Sequence, residues 1–208
     1  MLQYSTVNAE LLSVLKELMK IPEFENFYLV GGTALALMYG HRKSVDIDLF
    51  STHSFVNEEI IPILEKNFPN FSYRNSNNPI GLFCMIGNVK VDFVKHHIHP
   101  LIETPINIDG IRLLHSREII AMKVMAILKR GVKKDFWDLA ELLNHYSIQD
   151  CIDAYTKKYP SQQLVISIPN ALTYFEEAEE SADPVSLKGQ TWESIKKSIQ
   201  QKVNAFLK

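Results

Sequence analysis

Cysteine is scarce in this chain. Cys84 and Cys151 stand 67 positions apart with no Cys-x-x-Cys spacing, which excludes a disulfide framework and a zinc knuckle and points to a reducing cytoplasm. Long apolar runs are missing as well. No stretch approaches the ~18 to 20 uncharged apolar residues that a bilayer span needs, and residues 1–9 lack the basic start and apolar stretch of a secretory leader. No membrane partner is expected. Repeats and low-complexity tracts are absent, and neither charge dominates: 22 Lys and Arg oppose 24 Asp and Glu. The resulting net charge of −2 argues against wholesale wrapping of nucleic acid, where many cationic contacts replace counterions. With 208 residues, 46% of them hydrophobic, the chain reads as an ordinary globular protein of one to two domains.

Charge is nevertheless uneven along the chain. Lys123, Lys129, Arg130, Lys133 and Lys134 place five cations in twelve residues, whereas 173–183 carries five acids and no base. Such a basic run reads either as a solvated helix face or as a local groove for an anion.

The first half alternates in pattern. Apolar spacing from Asn8 to Lys20 predicts a helix with Asn8 as N-cap and Pro22 beyond its end. Phe27 to Val30 reads as a strand running into Gly31-Gly32 and a short helix from Thr33 to Tyr39, closed by Gly40. Val45 to Phe50 alternates apolar and acidic residues, so Asp46 and Asp48 must share one strand face. A helix follows Asn57, with Pro62 in its middle. Ile80 to Ile86 and Val89 to Val94 flank Gly87-Asn88, a two-residue hairpin signal. That turn pairs Ile86 with Val89, Phe83 with Asp92 and Met85 with Lys90, and leaves Leu82, Cys84, Val91 and Phe93 for the apolar face. A second short pair is expected around Asp109-Gly110. Beyond it, helices are predicted from Ser116, as N-cap, to Arg130, from Phe136 to His145, from Ser147 to Lys158, from about Asn170 to Glu180, and from Trp192 to Leu207. Strands early and helices late make the fold class α+β, with residues 1–115 as a mixed-sheet core and 116–208 as a helical lobe packed against it.

Three groups of residues carry chemistry. Gly31-Gly32-Thr33 sits where a strand enters a helix, a position whose free amides and positive helix end favour phosphate; tight strand-to-helix turns also use glycine for backbone reasons alone. Asp46 and Asp48, with Asp92 available from a hairpin strand that could lie beside theirs, would repel one another unless divalent cations neutralise them. Mg²⁺ takes oxygen ligands of this kind together with substrate phosphates, and two such ions could clamp the attacking and leaving oxygens of a phosphoryl displacement. The competing reading is an acidic, solvent-facing edge strand. The third group is built on Lys123, the one charged residue among the ten from Ile119 to Leu128. A cation buried there needs an anionic partner, from protein or ligand. Arg130, Lys134 and Asp138 continue its stripe at four-residue steps if the helix persists past Gly131. If it breaks there, Asp135 and Asp138 read as a cap and its third residue. His96-His97-Ile98-His99 lacks the Cys or acid that would complete a zinc set, and Pro100 closes it, so it reads as a strand end. Trp137 and Cys84 read as core packing.

Taken together these stretches resemble a known family. Leu29-Val30-Gly31-Gly32-Thr33-Ala34-Leu35-Ala36-Leu37, then Gly40-His41-Arg42, Ser44 and Asp46-Ile47-Asp48-Leu49-Phe50, resemble the nucleotidyltransferase signature of the AbiEii/AbiGii toxins. Lys123-x-x-Ala126-x-x-x-Arg130-x-x-x-Lys134-Asp135-x-x-Asp138-Leu139 resembles the later basic-acidic motif of that family. The resemblance covers about residues 27 to 140, with Asp92 in Val91-Asp92-Phe93 between the two motifs. It implies a DNA-polymerase-β-like nucleotidyltransferase fold that uses Mg²⁺, two ions with bound nucleotide, to move a nucleoside monophosphate from a nucleoside triphosphate to a hydroxyl acceptor. It further implies a toxin of a type IV toxin–antitoxin or abortive-infection system, with a cognate antitoxin and a tRNA 3′ end or a protein as acceptor. By the same resemblance Asp46, Asp48 and Asp92 are metal-holding and catalytic, while Gly31, Gly32, Thr33, Arg42, Lys123, Arg130, Lys134 and Asp138 contact nucleotide. Small-molecule nucleotidylation and non-catalytic nucleotide sensing are the alternatives.

Overall fold

A computed structural model describes all of residues 1–208. Helix α1, Ala9–Lys20, begins at Asn8, whose side chain accepts the Leu11 amide at 2.7 Å. It buries Leu11, Leu15 and Leu18, each contributing about 1.5–3 kcal/mol relative to exposure. Strand β1, Phe27–Val30, runs directly into α2, Gly31–Tyr39, which Gly40 ends at φ +66°. Strand β2 is Asp46–Ser51, and α3, Asn57–Asn67, continues through Pro62. Then come β3, Phe71–Tyr73, the hairpin of β4, Gly81–Ile86, with β5, Val89–Lys95, and the pair β6, Ile106–Ile108, with β7, Ile111–Leu113. These strands form one mixed sheet in the order β3-β4-β5-β2-β1-β7-β6. The expected α+β class, a mixed sheet followed by helices, is what the chain adopts.

The Gly87-Asn88 turn sets the register that its chemistry predicts, with Ile86 opposite Val89, Phe83 opposite Asp92 and Met85 opposite Lys90. Alternation then divides the faces. Leu82, Cys84, Val91 and Phe93 are buried together with Ile47 and Leu49 of β2, while Asp46 and Asp48 turn to the opposite face. β2 lies antiparallel to β1 and parallel to β5, in the middle of the sheet. The acidic strand is therefore no solvent-facing edge.

Helices α4, Ser116–Lys129, α5, Lys133–Leu142, α6, Ile148–Lys158, α7, Ile168–Leu172, and α8, Trp192–Phe206, complete the chain. One apolar core of 52 residues includes side chains from both the sheet and these helices. Three sequence expectations change. His115, not Ser116, caps α4, accepting the Arg117 amide on its ring nitrogen at 3.3 Å. The helix does break at Gly131, where φ is +44°, but Val132 holds the cap position of α5 and Asp135 is turned inward to an ion pair. The predicted helix from Asn170 to Glu180 is only α7 and a single 3-10 turn, Glu176–Ala178. Between them Phe175 packs edge-on against Trp192, with ring centroids 5.6 Å apart, and the buried Ala178 follows. That aromatic packing, with four acids that would repel along a continuous helix, outweighs helical propensity.

Candidate active site

The register of β2 and β5 decides where the carboxylates stand. Asp48 is the direct partner of Asp92 across the parallel pair, and Asp46 lies two residues back on the same face, opposite Lys90. Burial, and next the charge of Asp92, push the Asp48 carboxyl above its usual range. Lys90 Nζ donates to Asp92 Oδ2 at 2.5 Å, while Asp92 Oδ1 is buried without a partner. Asp46 faces Lys134, whose Nζ is 3.9 Å from Oδ2.

The paired glycines make room for these side chains. At Gly31, φ is +69° and a β-carbon would stand 2.5 Å from Asp48 Oδ2; at Gly32 it would stand 2.1 Å from Arg42 Nη2. Residues 31 and 32 thus bring the N-terminus of α2 against the acidic strand and a guanidinium, whatever else they admit.

Behind Gly32 lies a buried charge cluster. Arg42 grips Asp138 in a fork, Nε to Oδ1 at 2.6 Å and Nη2 to Oδ2 at 2.8 Å, and His41 Nε2 reaches Oδ1 at 2.7 Å. Lys123 Nζ bridges Asp138 Oδ2 at 2.6 Å and Asp135 Oδ1 at 2.8 Å. Burial opposes charge on Arg42, Lys123 and Asp138. Lys123 and Arg42 nonetheless hold Asp138 far below the ordinary carboxylate range, and the two aspartates raise Lys123 in return. The anionic partner that Lys123 requires is supplied by protein.

Carboxylates, glycines and cations surround one open cavity of about 550 Å³ between the acidic face of the sheet and α4–α5. Of the residues singled out from sequence, Gly31, Gly32, Arg42, Asp46, Asp48, Asp92, Lys123, Arg130 and Lys134 line it. Thr33 and Asp138 do not: the Thr33 hydroxyl donates to the Asp46 carbonyl and lies 2.9 Å from Ser44 Oγ, and the Asp138 carboxylate is spent on Arg42, Lys123 and His41. Both support the wall from behind. Sequence reading missed Lys90, although its place two residues before Asp92 on a strand puts both on one face. It also missed residues 182–185, which reach the cavity because Lys43 donates to the Val185 carbonyl and Leu187 to the His41 carbonyl, at 2.9 Å each. No local pattern marks that contact.

The three aspartates share a face and a cavity, but with Lys90 on Asp92 and Asp46 turned to Lys134, no three His, Cys, Asp or Glu side chains converge on a metal-sized point. Three oxygens gathered on one ion-holding spot are thus replaced by an in-register pair, Asp48 and Asp92, with Asp46 two residues back on the same face. The set still fits a hard divalent cation. Its donors are all oxygen, one buried oxygen lacks any partner, and Asp48 bears a like-charge penalty that a cation would relieve.

Neighbouring carboxylates on a mixed sheet, a helix N-terminus and a rim of cations are suited to handling a nucleoside triphosphate, and comparison with known proteins agrees: the chain is a nucleotidyltransferase. It belongs to the family described as nucleotidyl transferase AbiEii toxin, type IV toxin–antitoxin system, which it matches over residues 13–206. It is 31% identical to an uncharacterized protein of Aquifex aeolicus, covering 88% of each chain. Its fold is similar to that of MenT4, a nucleotidyltransferase toxin from Mycobacterium tuberculosis, with a TM-score of 0.60 at 12% identity over 91% of this chain and 79% of that one. A candidate nucleotidyltransferase from H. pylori gives a TM-score of 0.59 at 17% identity, covering 94% and 90%. The resemblance read from the two motifs therefore holds over nearly the whole chain. None of its helices is long and apolar enough to cross a membrane.

Proposed function

We propose that the protein is a Mg²⁺-dependent toxin that transfers a nucleoside monophosphate from a nucleoside triphosphate to a hydroxyl acceptor, the 3′ end of tRNA being the first to test, and that a cognate antitoxin restrains it. The observation that carries this reading is the in-register pair Asp48 and Asp92, with Asp46 beside them, facing a cavity whose other walls are the α2 N-terminus and a cluster of cations. Asp46, Asp48 and Asp92 would hold Mg²⁺, which when bound neutralises phosphate charge and polarises the reacting oxygens. The triphosphate lies at Gly31 and Gly32, where the helix end favours anions. Arg42 and Lys123, pinned by Asp138, keep fixed positions in the wall, whereas Lys134 and Arg130 are half-exposed or more and free to close on phosphate. The acceptor oxygen attacks the α-phosphorus, the bond to the bridging oxygen of pyrophosphate breaks, and the hydroxyl proton passes to Asp92, whose Oδ1 has no other partner. Positioning and charge neutralisation supply most of the acceleration.

The test is transfer of label from each α-labelled triphosphate to total RNA and total protein, with pyrophosphate release measured in parallel. Asp48→Asn and Asp92→Asn are expected to abolish both signals in folded protein. Full activity in both variants would refute the assignment.

A further inference from the structure

A second basin of about 550 Å³ adjoins the catalytic cavity and shares Phe50, Met122 and Ala126 with it. Its place follows from the sheet. Phe50 stands two residues beyond Asp48 on β2, opposite Val94, and Lys95 ends β5, so the basin opens about 7 Å along the strands from the carboxylate pair. The α2 N-terminus lies across β1, on the other side of β2 from β5. A triphosphate seated there leaves the basin free.

Its lining is unlike that of the first cavity, for it contains no acid. Rings follow one another through it. Phe50 and His96 have centroids 4.9 Å apart, His96 and His99 4.8 Å, and His99 and Tyr159 4.9 Å. Burial, and next the charge of Lys158, push His96 down to about 3, so its ring is neutral, and its buried Nε2 has no partner. Lys129 is the exposed cation of the lining, whereas the Lys95 ammonium lies over the Phe55 ring, 5.5 Å from its centroid. Flat neutral rings beside the Lys129 ammonium match an unpaired nucleotide, whose base stacks while its phosphate meets a cation.

Resting on the reading that the first cavity performs nucleotidyl transfer to a hydroxyl, we propose that this basin seats the unpaired 3′-terminal nucleotides of a polynucleotide acceptor. One nucleotide's length from the carboxylates, it presents the terminal hydroxyl to Asp92. The segment 96–99, which in sequence marks only the end of a strand, is in this reading the acceptor platform.

The test uses the full chain and a 5′-fluorescein single-stranded RNA dodecamer, with the blunt duplex of the same sequence as comparison, both read by fluorescence anisotropy without triphosphate. Binding of a fluorescent triphosphate is measured separately. Single strands are expected to bind at least tenfold more tightly than duplex. The exposed-site variants Lys129→Glu and His97→Glu, singly and together, are expected to weaken the single strand about tenfold and leave triphosphate affinity within twofold. Equal binding of duplex, no binding of the single strand, or unchanged affinity in the double variant overturns the proposal. So does loss of triphosphate binding in these variants, which would place the nucleotide's own base in the basin. Because the assay needs no turnover, it can fail while pyrophosphate release still reports an active transferase, and the reverse.

Discussion

Arg42 and Asp138, 96 residues apart, meet in a two-point ion pair from which water is excluded, and the same carboxylate also receives Lys123 and His41. The pair joins the segment after α2 to α5 and so fixes one wall of the cavity. Replacing Asp138 by Asn keeps its shape but leaves a buried guanidinium uncompensated and an ammonium with Asp135 alone, which is expected to cost roughly 3–5 kcal/mol in urea unfolding. The pH dependence has a definite sign. Because the folded-state pKa of Asp138 is depressed, its contribution is full above the ordinary carboxylate range, near ~4, and is lost as pH falls further towards the folded value. Wild type should therefore lose stability steeply below that pH, and Asp138→Asn should lose correspondingly less. Parallel acid slopes for the two proteins would contradict this role.

Asp48 has the opposite linkage. Its folded-state pKa is raised, so the penalty for charging it is absent below the ordinary carboxylate range, grows as pH rises through the raised value, and stays in force at neutral pH. Asp48→Asn removes that penalty. The variant is expected to melt at a higher temperature than metal-free wild type at pH 7, with the difference closing towards pH 4. On the proposed metal role it should also lose at least about 100-fold in transfer rate, together with the stabilisation that Mg²⁺ is expected to give wild type. A destabilised variant that still responds to Mg²⁺ would remove Asp48 from the metal set.

Lys90 sits where a cation would compete with metal. Its ammonium holds Asp92 Oδ2, and its side chain is half exposed, so solvent screens the pair. On the proposed metal role, Lys90→Met removes a like charge worth about 1 kcal/mol against an incoming ion and is expected to bind Mg²⁺ roughly fivefold more tightly. Titrating Mg²⁺ against the melting temperature checks this. Weaker metal binding in the variant would mean that Lys90 orients Asp92 for the ion and does not oppose it.

What the sequence made legible follows from short-range physics. Alternation in 45–50 and the Gly87-Asn88 turn fix side-chain faces within a few residues, but the parallel pairing of β2 with β5 that brings Asp46, Asp48 and Asp92 to one side of the sheet is a long-range contact that neither pattern specifies. Lys123 announces its need for an anion because the residues around it, 119–122 and 124–128, are all apolar. Which anion answers was not legible, since it depends on the angle at which the chain leaves Gly131. The arrival of 182–185 at the cavity rests on backbone contacts made more than 140 residues away at His41 and Lys43. Asp138 matches the motif in type and spacing, yet its carboxylate faces inward, a distinction that spacing alone does not carry.

Glu118 and Lys158 form a second buried pair, both side chains fully inaccessible, 2.5 Å apart. Glu118 Oε1 also accepts the backbone amides of Ile102 and Glu103, and Lys158 donates to the Pro100 carbonyl at 3.3 Å, so one ion pair fastens the loop that follows β5. Glu118→Gln strands the ammonium, which burial already pushes below the usual lysine range, and is expected to cost several kcal/mol. Replacing both residues by Met removes the stranded charge and should recover most of that loss, but the two amides still lack their acceptor. The double variant is therefore expected to unfold near the wild-type denaturant concentration while hydrogen exchange at Ile102 and Glu103 accelerates by at least about tenfold. Because this loop carries the histidines of the second basin, single-stranded RNA binding should weaken in the double variant even though its global stability is restored. Wild-type exchange at those two amides would mean that the loop is held by its apolar contacts, with the ion pair incidental to it.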